Sequence, residues 1–270
     1  MSNLTVRILF AIPAMVVFLG LMYFNYWTRV FALAFILVFG AWEYGRILMA
    51  KYPKVPLNIV LPILMFALNA TQVFQSLKPM QAIVSVVSLF TIILLGFRSI
   101  DIEELFPWIA KAVFGYALLG YWTSQGFRII YSGEMSFEGA LPFLFTAMIM
   151  WASDSFAYFA GRSMGKHKMA PQISPKKTWE GSAGGVIGAL VVGGFWGPSM
   201  TGLSIGPVLA LVFVLSIAGQ IGDLLFSALK RYTSVKDSSN IFPGHGGILD
   251  RFDSLILGLP VTVVVIEFFK

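Results

Sequence analysis

Nine apolar stretches follow one another along the chain, each about as long as a bilayer-spanning helix. Such a helix needs about 20 mostly apolar residues. Only 12% of the residues are charged and 57% are hydrophobic, whereas soluble domains carry about 25% charge. We therefore predict an all-α fold, a polytopic membrane helix bundle of about nine transmembrane helices. The stretches lie at roughly 5–24, 28–49, 55–74, 80–97, 107–124, 140–161, 181–198, 205–229 and 248–269.

Lysine and arginine are divided unequally between the two sides of this predicted bundle. Fifteen of the 19 fall on the side of the N-terminus. Because such an excess marks the cytoplasmic side, we expect the N-terminus and two basic loops in the cytoplasm. An odd helix count then places the C-terminus outside. Loops facing an anionic leaflet also explain the net charge of +6, so we expect a lipid bilayer as partner and no nucleic acid.

The two parts of the chain differ in polar content. Residues 1–139 are nearly featureless and contain one carboxylate well inside a span, Glu43. Residues 140–270 hold the polar clusters, so we predict a scaffold in 1–139 and a catalytic region in 140–270. The chain has no cysteine, which excludes disulfides, thiolate metal sites and cysteine nucleophiles.

The eighth stretch carries polar residues on one helical face, with Asp223 at depth and cations at its end. An intrahelical Asp–Lys pair with snorkelling cations is the plain alternative to a functional site. The residues that share the face with Asp223 are Ser216, Gln220, Ser227, Lys230 and Arg231.

A glycine-rich loop follows, preceded by Lys236 and Asp237. Its backbone N–H groups and the start of the ninth helix are suited to an anion. Asp250 and Asp253 then fall in the first helical turn, where acids also stabilise a helix start. Two acids beside Asp223 exceed that need, and carboxylates completed by phosphates are what Mg²⁺ prefers. The loop itself contains Gly244, His245, Gly246 and Gly247, and His245 is either a buried donor or a phosphate contact.

A second polar block joins the sixth and seventh stretches. Asp154 and Arg162 share a helical face with Tyr158 and Gly161. The block either binds substrate or is a positive loop lying on lipid headgroups. Its remaining candidates are Lys166, Lys168, Ser174, Lys176, Lys177 and Thr178.

Small residues recur through the seventh stretch, from Gly181 to Gly197. Small residues at spacing four let helices approach closely. The stripe predicts ordinary helix packing, with a homodimer interface as the alternative.

The polar motifs resemble those of a known family. Ser227-Ala-Leu-Lys-Arg231, Lys236-Asp237 and His245-Gly-Gly-Ile-Leu-Asp-Arg-Phe-Asp253 are similar to the signature of the phosphatidate cytidylyltransferases, or CDP-diacylglycerol synthases. The blocks at 154–162 and 174–181 resemble two others of that family. The resemblance covers residues 151–254; upstream it is only in hydropathy and length.

This resemblance implies that CTP and phosphatidic acid react to CDP-diacylglycerol and pyrophosphate, with Mg²⁺ as cofactor and a second cation left open. We predict Asp223 and Asp250 as metal ligands, with Asp253 and Asp154 as further candidates. Lys230, Arg231 and Arg251 would act beside the metal ligands in catalysis. The other candidates above would bind substrate. We expect an active site facing the cytoplasm, in a bacterial inner (plasma) membrane.

The residues leave three other activities open. They are a CTP-dependent polyprenol or phytol kinase, an organic-phosphate transporter and a CDP-alcohol phosphotransferase. The crowding of polar residues on the cytoplasmic side argues against transport, and the chain lacks an Asp-Gly-x-x-Ala-Arg block for the phosphotransferase.

Overall fold

The structure, a computed structural model, describes residues 3–132, 137–242 and 246–269. In those ranges, every predicted apolar stretch coincides with a helix. The largest difference is at α5, which starts earlier and ends later than the predicted 107–124. The helices are α1 (Asn3–Phe24), α2 (Tyr26–Met49), α3 (Leu57–Val73), α4 (Gln81–Ser99), α5 (Ile102–Ser132), α6 (Leu141–Met164), α7 (Trp179–Thr201), α8 (Ile205–Tyr232) and α9 (Leu249–Phe269).

Six helical segments in the described part of the chain are long and apolar enough to cross a membrane. This chain is an integral membrane protein. The count of nine spans and the orientation of the termini stay predictions. The six segments are Tyr26–Met49, Ser76–Ser99, Leu141–Met164, Trp179–Thr201, Ile205–Tyr232 and Leu249–Phe269.

One face of α4 shows how the chain meets lipid. Ile83, Val87, Phe90, Leu94 and Phe97 recur every three or four residues and are each 55–63% exposed. An apolar face of that length would be unfavourable in water. Its solvent is therefore the bilayer core.

The chain forms two compact units. The first joins Met1–Tyr131 to Tyr232–Arg251, so a segment distant in sequence belongs with the N-terminal helices. Its core includes Leu33, Leu37 and Tyr44 of α2, and the Tyr44 hydroxyl donates to the carbonyl of Lys111 at 2.9 Å. The predicted division into scaffold and catalytic region stays a prediction.

The second unit joins Ser132–Arg231 to Phe252–Lys270. There α7 packs on α6 through its glycines. A Cβ at Gly185 would lie 2.8 Å from the carbonyl oxygen of Ser153. Gly193 and Gly197 lie in the same way against Val212 and Val208 of α8. The interpretation of the glycine stripe as helix packing is confirmed, and the homodimer stays a prediction.

A short hairpin interrupts the helices between α6 and α7. Strands β1 (Lys168–Ala170) and β2 (Ser174–Thr178) pair antiparallel, with Ala170 opposite Ser174. Thr178 ends β2 and caps α7, since its hydroxyl accepts the amide of Gly181 at 3.1 Å. Two short 3-10 helices, Gln75–Met80 and Phe137–Ala140, precede α4 and α6, and the all-α fold class is as predicted.

Candidate active site

Asp223 of α8 pairs with a lysine from the hairpin. The Lys177 ammonium Nζ lies 2.6 Å from Asp223 Oδ2, and the two side chains are 27% and 29% exposed. The hydroxyl of Ser227, one turn along α8, donates to Asp223 Oδ1 at 3.3 Å. The structure thus brings the two polar blocks of the sequence together inside the second unit.

A second carboxylate of the second unit, Asp253 of α9, lies near Asp223. Gly222 allows a close crossing of α8 and α9, because a Cβ there would lie 2.6 Å from the carbonyl oxygen of Asp253. Asp253 is only 8% exposed. It interacts electrostatically with Asp223, Lys230 and Asp154. Acids from α6, α8 and α9 therefore gather beside lysines.

This donor set is compatible with Mg²⁺. No three histidine, aspartate or glutamate side chains form a ready-made metal cage among the residues that the structure describes. Mg²⁺ does not require one, because it is usually held by one or two carboxylates, with water and substrate phosphates filling its other positions. The ammonium of Lys177 against Asp223 also indicates that this carboxylate attracts a cation.

The basic hairpin is held by Glu180 in the first turn of α7. The Glu180 carboxylate accepts the amides of Lys166 at 3.1 Å and His167 at 3.2 Å. It also contacts His167 Nδ1 at 2.6 Å. At the far turn, Arg231 Nε donates to the carbonyl of Ile173 at 3.3 Å. The predicted cations Arg162, Lys166, Lys168 and Lys176 are exposed.

Asp250 lies in the first unit, where it holds the loop that precedes α9. Its Oδ2 accepts the amide and the hydroxyl of Ser238 at 2.8 and 2.9 Å. The same oxygen accepts the amide of Gly247 at 2.9 Å. Gly246 has a φ of +79°, and a Cβ there would lie 2.5 Å from Asp250 Oδ2. The joint action of Asp223 and Asp250 on a metal stays a prediction.

The sequence did not show that Glu43 of α2 binds residues at the ends of this loop. Glu43 is fully buried and accepts the amides of Ile248 and Leu249 at 2.8 and 2.7 Å. The α9 start, predicted to be suited to an anion, thus donates to a carboxylate of the protein itself. Lys236, Asp237 and Arg251 are exposed. Gly244 and His245 lie outside the described residues.

Tyr232 is the first residue of the segment Tyr232–Arg251, which belongs to the first unit. It contacts side chains that the sequence did not indicate. Its hydroxyl lies 2.6 Å from Lys51 Nζ, and Lys111 Nζ lies 4.7 Å from its ring centroid. Tyr52 OH donates to Glu104 Oε2 at 2.8 Å. Burial raises the pKa of Tyr52, and its hydrogen bonds to Tyr232 and Glu104 add to that shift. The start of the segment is therefore tied to the N-terminal helices.

Comparison with known proteins agrees with the motifs. A model of the cytidylyltransferase family matches residues 5–269. The chain belongs to the cytidylyltransferase family. The resemblance predicted from the motifs is confirmed.

Several relatives within this family carry the name phosphatidate cytidylyltransferase. That of Bacillus subtilis is 47% identical over 133 residues, which is 48% of this chain and 49% of the relative. Those of Staphylococcus saprophyticus and Staphylococcus epidermidis are 42% and 43% identical over 147 residues, which is 52% of this chain and 55% of each relative. The matched segment thus spans about half the length of these relatives.

Proposed function

We propose that this chain is a phosphatidate cytidylyltransferase that converts CTP and phosphatidic acid to CDP-diacylglycerol and pyrophosphate. The observation that carries the proposal is the cluster around Asp223, where Lys177 and Lys230 lie beside buried and part-exposed acids. It occurs in a cytidylyltransferase whose relatives bear that name.

The proposed reaction makes modest demands on the protein. The lipid phosphate is a monoester that is largely dianionic at pH 7, so it is already nucleophilic. One of its oxygens forms a bond to the α-phosphorus of CTP, while the bond from that phosphorus to the bridging oxygen of pyrophosphate breaks. The protein must hold two anions together in line and neutralise the leaving group. Lys177, Lys230, Arg231 and Arg251 are suited to that task.

Asp223 and Asp250 would hold Mg²⁺, with Asp253 and Asp154 as further ligands and a second cation left open. The metal would supply charge neutralisation at the phosphates. Lys177 currently pairs with Asp223 at 2.6 Å. If a divalent cation took its place at Asp223, Lys177 would be available for a phosphate oxygen. The lysines of 166–177 would contact the lipid phosphate, and the loop of 244–247 with the start of α9 would contact the triphosphate.

One of the two proposed substrates, phosphatidic acid, stays in the bilayer, so the site must be accessible to lipid. We propose a cleft open to the cytoplasm and sideways to lipid, in a bacterial plasma membrane. Residues 140–270 would supply the catalytic groups and residues 1–139 the scaffold. A homodimer remains a separate proposal.

Incubation of the purified protein with labelled CTP and phosphatidic acid tests the function. We expect a labelled lipid that migrates as CDP-diacylglycerol, equimolar pyrophosphate, and loss of both after chelation of Mg²⁺. A phosphorylated alcohol with CDP would instead identify a lipid kinase. Uptake of an organic phosphate into vesicles without pyrophosphate release would identify a transporter.

A further inference from the structure

Glu43 is a buried carboxylate in α2 to which the proposed reaction gives no role. Each of its oxygens accepts one hydroxyl and one backbone amide. Oε2 accepts Ser238 Oγ at 2.8 Å and the amide of Leu249 at 2.7 Å. Oε1 accepts Ser239 Oγ and the amide of Ile248, the latter at 2.8 Å. All four of these donors are uncharged.

The four donors come from the two ends of one loop. Ser238 and Ser239 lie at its beginning, and Ile248 and Leu249 lie where α9 starts. One side chain, 195 residues away from Ser238, therefore fixes both ends. A buried carboxylate is stable there because hydrogen bonds and the positive end of the helix replace its hydration. The fit is close, since a Cβ at Gly247 would overlap Glu43 Oε1 and Ser238 Oγ.

Ser238 also connects Glu43 to Asp250. Its hydroxyl oxygen lies 2.8 Å from Glu43 Oε2 and 2.9 Å from Asp250 Oδ2. A hydroxyl has one hydrogen to donate, so the two carboxylates share a single donor. Glu43 and Asp250 therefore hold the same serine from two sides, and Asp250 also accepts the amides of Ser238 and Gly247.

We propose that Glu43 is a positioning residue, which holds Ser238, Ser239 and the start of α9 and, through Ser238, the carboxylate of Asp250 in the geometry that the reaction needs. This rests on the proposed function, because that loop and Asp250 are the parts assigned to the triphosphate and the metal. Glu43 itself contacts neither.

The test is Glu43→Gln in the full-length protein. The new amide nitrogen donates and cannot accept from the backbone N–H that faces it, so one end of the loop is released. We expect kcat/KM for CTP to fall about 10- to 100-fold, as for other groups that orient a metal ligand. The loss appears in the KM for CTP, while the KM for phosphatidic acid stays at the wild-type value.

A second measurement does not depend on activity. Hydrogen exchange of peptides that contain the amides of Ile248 and Leu249 should become faster in Glu43→Gln and stay unchanged in α4. Two controls separate positioning from stability. Glu103→Gln removes an exposed acid of α5 and should change neither measurement. Leu33→Ala opens a cavity in α2 and should lower the melting temperature without raising the KM for CTP.

Each outcome decides the proposal. Wild-type exchange and a wild-type KM for CTP in Glu43→Gln overturn it. If that variant does not fold, Ser238→Ala serves in its place and should raise the KM for CTP by a smaller factor; an unchanged KM overturns the proposal. If the wild-type protein makes no CDP-diacylglycerol, the proposed function fails, and the exchange at Ile248 and Leu249 still decides whether Glu43 holds the loop.

Discussion

Glu43 in the first unit and Asp223 in the second are both acids within apolar helices, but their partners differ in kind. Glu43 is fully buried and bound by hydroxyls and backbone amides. Asp223 is 29% exposed and bound by the flexible ammonium of Lys177. The first set of donors is fixed by the fold, whereas a lysine side chain can move away.

This difference separates a structural acid from an acid that can exchange its partner. Hydroxyls and backbone amides of the protein already satisfy both oxygens of Glu43, so this carboxylate needs no further ligand. A lysine beside Asp223 can be displaced by a divalent cation, at the loss of one part-exposed ion pair, which is worth little. The acid with the movable partner is therefore the better candidate for chemistry, and the following variants test that distinction.

The largest effect is expected for Asp223→Asn. The amide keeps the shape of the side chain but loses the charge that a metal requires, so we expect CDP-diacylglycerol formation to fall about 1000-fold. Expression and the melting temperature in detergent should stay near the wild-type values. Asp101→Asn, at an exposed site before α5, is the matched control, and full activity in Asp223→Asn would refute the metal assignment.

The second largest effect is expected for Glu43→Ala, on the stability of the first unit. Glu43→Ala leaves two buried backbone amides without an acceptor, because the serine hydroxyls can turn but the amides of Ile248 and Leu249 cannot. We expect a destabilisation of about 3 kcal/mol, measured by thermal unfolding in detergent. Asp223→Ala should cost much less. Equal losses for the two alanine variants would contradict the comparison.

A smaller effect is expected for Lys177→Gln. The variant removes the partner of Asp223 and one charge near the phosphates, so activity should fall about tenfold while the Mg²⁺ requirement persists. Kinetics against Mg²⁺ concentration provide the measurement. Lys54→Gln, an exposed lysine between α2 and α3, is the control. Wild-type activity in Lys177→Gln would show that the ion pair has no part in the reaction.

The smallest effect is expected for Glu180→Gln. Glu180 also accepts backbone amides, those of Lys166 and His167, but it lies at the surface and its partners are 13 and 14 residues away. We expect a loss of activity of about threefold, as for exposed charged pairs, with faster hydrogen exchange at residues 166–167. If Glu180→Gln lost as much activity as Glu43→Gln, a buried carboxylate that holds a loop would not differ in importance from one at the surface.

Most of the helices could be predicted because lipid imposes a simple rule. A backbone in hydrocarbon must satisfy its own hydrogen bonds, so each long apolar stretch becomes a helix. The hairpin at 168–178 was not predicted, because a polar loop obeys no such rule and its strands are short. The role of Thr178 was also incompletely predicted. The motif indicated substrate binding, and the structure shows in addition that its hydroxyl caps α7.

The site was predictable in its residue types and only partly in its geometry. The one-face spacing on α8 placed Ser227 beside Asp223, because the helical period is local. No local period relates Asp223 to Lys177, which comes from a hairpin 46 residues earlier in the sequence. The sequence predicted Asp250 as a metal ligand. The motif did not show that this carboxylate also accepts hydrogen bonds from Ser238 and Gly247.

Local composition and the length of the apolar stretches were enough to predict the membrane helices, and the motifs resemble those of the cytidylyltransferase family, to which the chain belongs. The partner of each acid depends instead on the packing of segments that are distant in sequence. A carboxylate takes its donors from whatever the packing brings within hydrogen-bond distance, and for Glu43 that is a loop 195 or more residues further along the chain.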